Sequence, residues 1–144
     1  MKEYKVKVYN NRTEWYNLEG QLHREDGPAV KYADGSKSYY LNGKRHREDG
    51  PAVEYADGYK AYYINGKRHR EDGPAIEWAD GDKYYYINGK FHREDGPAIE
   101  YADGSKHYYI NDIQITKEKF DNRNKSCIDK IVEIEGVKYK LTKV

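Results

Sequence analysis

The chain has one cysteine, Cys127, among its 144 residues, so no disulfide can form within it, and nothing spaces cysteines as a zinc site requires. No apolar run approaches the about 18 residues that a membrane-spanning helix needs. The opening Met1-Lys2-Glu3-Tyr4-Lys5-Val6 alternates polar and apolar residues and lacks the apolar core of a secretion signal. These absences predict a soluble, cytoplasmic protein with no membrane insertion, and leave open secretion by a route that needs no signal. Excess charge of one sign is also missing. With 26 Lys and Arg against 25 Asp and Glu, the formal net charge is +1, which gives no bulk attraction to polyanions. Apolar residues are only 37% of the chain and charged ones 35%, a balance near that of disordered segments, but 17 tyrosines supply large side chains that disordered segments lack. Tyrosine therefore carries the packing: its ring can be buried while its hydroxyl reaches water, which suits a thin structure without a deep centre.

What the chain does have is repetition. The string His-Arg-Glu-Asp-Gly-Pro-Ala begins at His23 and returns at His46, His69 and His92, every 23 residues. Such a period marks a repeat architecture, in which each unit buries its apolar face against its neighbours. Four copies fill residues 23–114. Residues 1–22 read as a degenerate capping copy, because Trp15-Tyr16-Asn17-Leu18-Glu19-Gly20 lines up with Ser38-Tyr39-Tyr40-Leu41-Asn42-Gly43, and Tyr9 with Tyr32. Residues 115–144 read as a C-terminal capping segment.

Each copy carries two hairpin signals, Asp34-Gly35 and Asn42-Gly43 in the first, because these dipeptides tolerate the positive φ angles of two-residue type I′ turns. Three strands result, at 29–33, 36–41 and 44–47, and the frequent Gly and Pro exclude helix. With a two-residue loop at Asp34-Gly35, Tyr32 pairs with Lys37, Val30 with Tyr39 and Ala29 with Tyr40, each pair sharing a face. One face then holds Val30, Tyr32, Lys37, Tyr39, Leu41 and His46. Apart from its lysine row, its equivalents stay apolar or aromatic, as at Val53, Tyr55, Tyr62, Ile64 and Trp78, so it is the expected core. The other face holds Ala29, Lys31, Ser38, Tyr40 and Arg45, varies among copies, and is the expected surface. In the tail, 116–124 suits a short helix or a loop. Ile131-Val132-Glu133-Ile134 and Val137-Lys138-Tyr139-Lys140-Leu141 flank Glu135-Gly136 as a hairpin with Glu133 opposite Lys138, a lid for the last repeat's open edge. The expected fold class is all-β: an elongated single-layer antiparallel β-meander of 23-residue hairpin repeats with a small C-terminal hairpin cap.

Several residue groups invite a chemical reading. His23, His46, His69 and His92 each adjoin acidic residues, but equivalent positions two or three strands apart lie roughly 10–14 Å from one another, too far to share one metal ion. They are expected to pack on Tyr39-type rings, and no metal or cofactor is expected. Arg24, Arg47, Arg70 and Arg93 with Glu25, Glu48, Glu71 and Glu94 suit a solvated charge ladder. Catalysis has no candidate, since no nucleophile lies beside an orienting base and every acid is multiplied along the array. The aromatic row is the strongest candidate: Tyr40, Tyr63, Tyr86 and Tyr109, flanked by Arg45, Arg68, Phe91, Tyr84 and His107, make a surface rich in the residue types that dominate binding hot spots.

Asn65-Gly66-Lys67-Arg68-His69, then Gly73, then Trp78-Ala79-Asp80-Gly81, resembles the MORN (membrane occupation and recognition nexus) repeat, and the likeness covers about residues 9–114. It is also similar to the MORN-variant repeats of YwqK-type bacterial antitoxin proteins. The chain departs from the MORN pattern where Tyr-Tyr replaces small glycines and where the short link becomes Arg-Glu-Asp-Gly-Pro-Ala. The resemblance implies a meander that acts as a scaffold or docking surface and implies no catalytic residues. The expected function is thus a non-enzymatic protein-interaction module, with a protein partner that it inhibits or positions, in a phage or bacterial setting. The alternative is single-stranded nucleic-acid binding, with tyrosines on bases and Lys37, Lys60, Lys83 and Lys106 on phosphates, which Glu54, Glu77 and Glu100 oppose. A carbohydrate-binding array is a third reading.

Overall fold

The computed structural model of the protein describes residues 3–125, 131–134 and 136–140; Met1, Lys2, Cys127, Glu135 and Leu141 lie outside the described residues. The two turn signals of each copy behave differently, and that difference sets the fold. At Asn42-Gly43 both residues have positive φ, 48° and 77°, and Leu41 pairs with Lys44 and Tyr40 with Arg45, the type I′ hairpin expected. At Asp34-Gly35 only the glycine is left-handed, at 93°. The Tyr32 amide donates to the Ser36 carbonyl at 2.9 Å, so the loop holds three residues, Ala33, Asp34 and Gly35, and ends in a glycine bulge. The Asp34 carboxylate accepts the Ser36 amide at 2.8 Å, and Asp57 and Asp103 repeat this bond to Tyr59 and Ser105. This local bond holds the aspartate side of the turn and leaves the left-handed position to glycine.

The extra loop residue corrects the expected register. Val30 pairs with Ser38 and Lys31 with Lys37, where a two-residue loop would have paired Val30 with Tyr39 and Tyr32 with Lys37. A one-residue slip turns every side chain of a strand over, so Val30, Tyr32, Ser38 and Tyr40 share one face, and Tyr39 and Leu41 join the lysines on the other.

The result is an open antiparallel sheet of 11 strands in chain order, from Lys5–Val8 to Ile113–Ile115, in which each copy contributes two strands, such as Val30–Tyr32 with Lys37–Ser38. One face carries the unbroken row Glu14, Val30, Ser38, Val53, Ala61, Ile76, Tyr84, Ile99 and His107. Val53, Ala61 and Ile76 form the core with Ala52, Ala75, Tyr63 and Tyr86. On the other face Lys37, Glu54, Lys60, Glu77, Lys83, Glu100 and Lys106 stand opposite one another in alternating sign. At Tyr39, Tyr62 and Tyr85 the ladder is interrupted. Beyond them the chain forms separate hairpins, Tyr40–Leu41 with Lys44–Arg45, Tyr63–Ile64 with Lys67–Arg68, and Tyr86–Ile87 with Lys90–Phe91. Neighbouring hairpins are tied through the Arg47 amide to the Tyr63 carbonyl and the Gly66 amide to the Arg45 carbonyl.

The ends differ from expectation in detail. Trp15 occupies the place of Tyr39 and not of Ser38: its amide donates to Ala29 as that of Tyr39 does to Ala52. The cause is a first loop, Asn10-Asn11, one residue shorter than the later ones. Asn111-Asp112 retains the left-handed turn, with φ of 51° and 67°, although it has lost the glycine. Residues Lys117–Lys125 form a helix, capped by the Thr116 hydroxyl, which accepts the Lys119 amide at 3.2 Å. Its Phe120 is buried against Tyr108, ring centres 4.8 Å apart. The hairpin Ile131–Ile134 with Val137–Lys140 pairs Glu133 with Lys138 as expected. It forms its own two-stranded sheet, so it adds no strand to the last edge. Among the described residues no helix is long and apolar enough to cross a membrane.

Candidate docking surface

The hairpin register places Tyr40 opposite Arg45, Tyr63 opposite Arg68 and Tyr86 opposite Phe91. Stacked hairpins then interleave them into one column, Tyr40, Arg45, Tyr63, Arg68, Tyr86, Phe91, Tyr109. The Arg45 guanidinium lies 5.9 Å from the Tyr40 ring and 5.4 Å from the Tyr63 ring. Arg68 donates to the hydroxyls of both Tyr63 and Tyr86 at 3.3 Å. Phe91 stacks 4.2 Å from Tyr86 and lies tilted 5.3 Å from Tyr109. The row expected at the surface is largely covered: Tyr63 and Tyr86 are only 8% and 6% exposed, and Tyr40 and Tyr109 are half-buried. The register slip is the reason, since it turns the second tyrosine of each doublet onto the valine face. Burial pushes the Tyr86 hydroxyl pKa upward against the pull of Arg68. Tyr84 and His107, also expected at the surface, flank Ile99 in the sheet and meet the Tyr101 ring edge-on at 6.0 and 5.7 Å. Burial, with Tyr101 and Asp82 nearby, pushes the Tyr84 hydroxyl up to about 12.

The opposite face is occupied with its own ties. The guanidinium carbons of Arg47, Arg70 and Arg93 lie over the rings of Tyr39, Tyr62 and Tyr85 at 4.1, 4.0 and 3.9 Å. Arg47 donates through Nε to Asp49 at 2.9 Å and through Nη1 to Glu54 at 2.6 Å. The expected Arg47–Glu48 pair is replaced by these, and Glu48 faces His46 instead, at 3.6 Å. In the first copy Lys31 stands where later copies have glutamate, Arg24 lies over Trp15, and its buried Nη1 has no hydrogen-bond partner. Each histidine serves the type I′ turn of its own copy: Nδ1 of His23, His46, His69 and His92 accepts the amide of Asn42, Asn65, Asn88 and Asn111 at 3.0–3.2 Å. Among the described residues no three His, Cys, Asp or Glu side chains converge as metal ligands would.

The aromatic residues left open to solvent are a different set. Tyr9, Tyr32, Tyr55 and Trp78 are 41, 38, 44 and 45% exposed, and Tyr101 is half-buried. They occupy one position per copy, immediately before the Ala-Asp-Gly loop at Tyr32, Tyr55, Trp78 and Tyr101 and before Asn10-Asn11 at Tyr9, and line one edge of the sheet. The signal in the sequence is an aromatic residue recurring at 32, 55, 78 and 101, which the register of a two-residue loop places in the core. The residue after each loop glycine decides what lies between neighbours. Tyr59 fills one gap, stacked 5.1 Å from Tyr55 and tilted at 60° against Trp78 at 4.6 Å. Ser36 fills the previous gap less, and its hydroxyl accepts the Ala56 amide at 3.0 Å. This leaves a groove of about 530 Å³ bounded by Tyr32, Tyr55, Asp34 and Asp57. Asp82 accepts the Ala102 amide at 2.8 Å in the same way, so adjacent loops are held together. No protein-family model matches the chain, and no curated protein matches its sequence.

Proposed function

We propose that the chain is a non-enzymatic protein-interaction module of MORN-like repeats, which docks a partner protein along the edge formed by Tyr32, Tyr55, Trp78 and Tyr101 and thereby inhibits or positions it. The observation that carries this reading is a regular row of exposed large rings, three of them 38–45% open to solvent, on loops braced by cross-copy hydrogen bonds. A rigid, amphipathic aromatic edge loses little conformational entropy when covered. Nucleic acid fits this edge poorly, because Asp34, Asp57, Asp80 and Asp103 are exposed beside the rings and repel phosphate. The lysines of the opposite face alternate with glutamates. Affinity purification with the natural chain and with a Tyr55→Ser/Trp78→Ser variant, followed by mass spectrometry, tests the proposal. A protein partner retained by the natural chain and lost from an equally stable variant is expected; a partner retained equally by both contradicts the edge assignment.

A further inference from the structure

We infer that the aromatic edge takes a proline-rich, basic segment of its partner in the polyproline II conformation; this rests on the docking reading above. Pitch supplies the first argument. Each copy adds two strands to the sheet, so equivalent rings recur about every 9.6 Å. A polyproline II helix has three residues per turn and advances about 9.3 Å per turn, so one of its residue columns meets successive rings nearly in step. An extended β-strand returns the same face about every 6.7 Å and an α-helix about every 5.4 Å, and neither keeps that step.

The second argument is shape. Proline-rich segments dock in grooves between aromatic rings, and the Tyr32/Tyr55 groove is open because Ser36 replaces the ring that Tyr59 supplies in the next copy. The third is charge: Asp34 and Asp57 rim that groove, and Asp80 and Asp103 extend the acidic line along the row. A lysine or arginine beside each proline meets a carboxylate there. The receptor loops are already tied by the Ser36 and Asp82 bonds to the following copy, and the ligand conformation is preformed, so neither side orders much on binding.

A peptide of four Pro-Pro-Lys triplets, about 37 Å long, is the probe, read by titration calorimetry against the natural chain. Four Gly-Ser-Lys triplets carry the same charge without the conformation, and four Pro-Pro-Glu triplets carry the conformation with opposite charge. The first peptide is expected to bind at least tenfold more tightly than either control. Trp78→Ser should weaken it at least tenfold at unchanged melting temperature. Ser36→Tyr, which fills the groove as Tyr59 does and removes no ring, should do the same. Equal binding of the Gly-Ser-Lys peptide, no binding of the Pro-Pro-Lys peptide, or indifference to Ser36→Tyr would overturn the inference. If the Pro-Pro-Lys peptide fails while a purified partner still depends on Trp78, the docking edge stands and the polyproline ligand does not. A partner indifferent to Trp78→Ser removes both.

Discussion

Nδ1 of His69 accepts the backbone amide of Asn88 at 3.1 Å, joining the start of one copy to the type I′ turn 19 residues later. The same bond recurs from His23, His46 and His92, so the histidines tie the opening of each copy to its own turn. Replacing His69 with Ala is expected to cost about 0.5–1.5 kcal/mol, the net worth of one such bond, in urea denaturation. His69→Asn, whose carbonyl oxygen reaches a similar place, should recover part of that loss. Equal stability of His69→Ala and the natural chain would remove the tie from the account.

The buried column predicts an inverted ranking of truncations relative to the expected faces. Tyr86→Ala empties a position that is 6% exposed between Arg68 and Phe91, and should destabilise by about 3–5 kcal/mol as other buried aromatic truncations do. Ile64 is only half-buried, so Ile64→Ala should cost less. Thermal or chemical unfolding of the two variants checks the order.

Asp112 combines a left-handed backbone, φ 67°, with a carboxylate that accepts the Phe91 amide at 2.8 Å. Asp112→Ala keeps the strain and loses the acceptor, so a loss of about 2 kcal/mol is expected. Asn tolerates this region and keeps an acceptor oxygen, and Asp112→Asn should be nearly neutral by the same unfolding measurement.

Acid should weaken the fold through Asp49, Asp72 and Asp95. Hydrogen bonds from Arg47, Arg70 and Arg93 hold these carboxyls below the usual aspartate range. A depressed folded-state value means that the stabilisation is complete above the ordinary aspartate pKa of about 3.9 and is lost as pH falls through the lowered values. Melting temperature followed from pH 6 downward should therefore decline below about pH 4, and less steeply in an Asp72→Asn variant.

Much of the fold was legible because some signals have a single physical meaning. Asn42-Gly43 and its equivalents demand two left-handed residues and formed the expected turns. Val30, Val53, Ile76 and Ile99 recur at one position and are all buried. Asp34-Gly35 was ambiguous, because the same dipeptide closes a two-residue or a three-residue loop, and the deciding bond from the Ser36 amide to Asp34 involves a backbone donor common to nearly every residue. That one residue decided which tyrosine of each Tyr-Tyr doublet faces the core, since adjacent side chains of a strand point oppositely. A two-residue loop thus exposes the column and buries the Tyr32, Tyr55 and Trp78 edge, and the three-residue loop does the reverse.

Hydroxyl-radical footprinting of the native chain, with each residue's rate compared with its own rate in urea, tests the face assignment most directly. Tyr55 and Trp78 should react nearly as fast folded as unfolded, and Tyr63 and Tyr86 should be protected severalfold. Protection of Trp78 together with rapid modification of Tyr86 would contradict the register, and with it the docking edge.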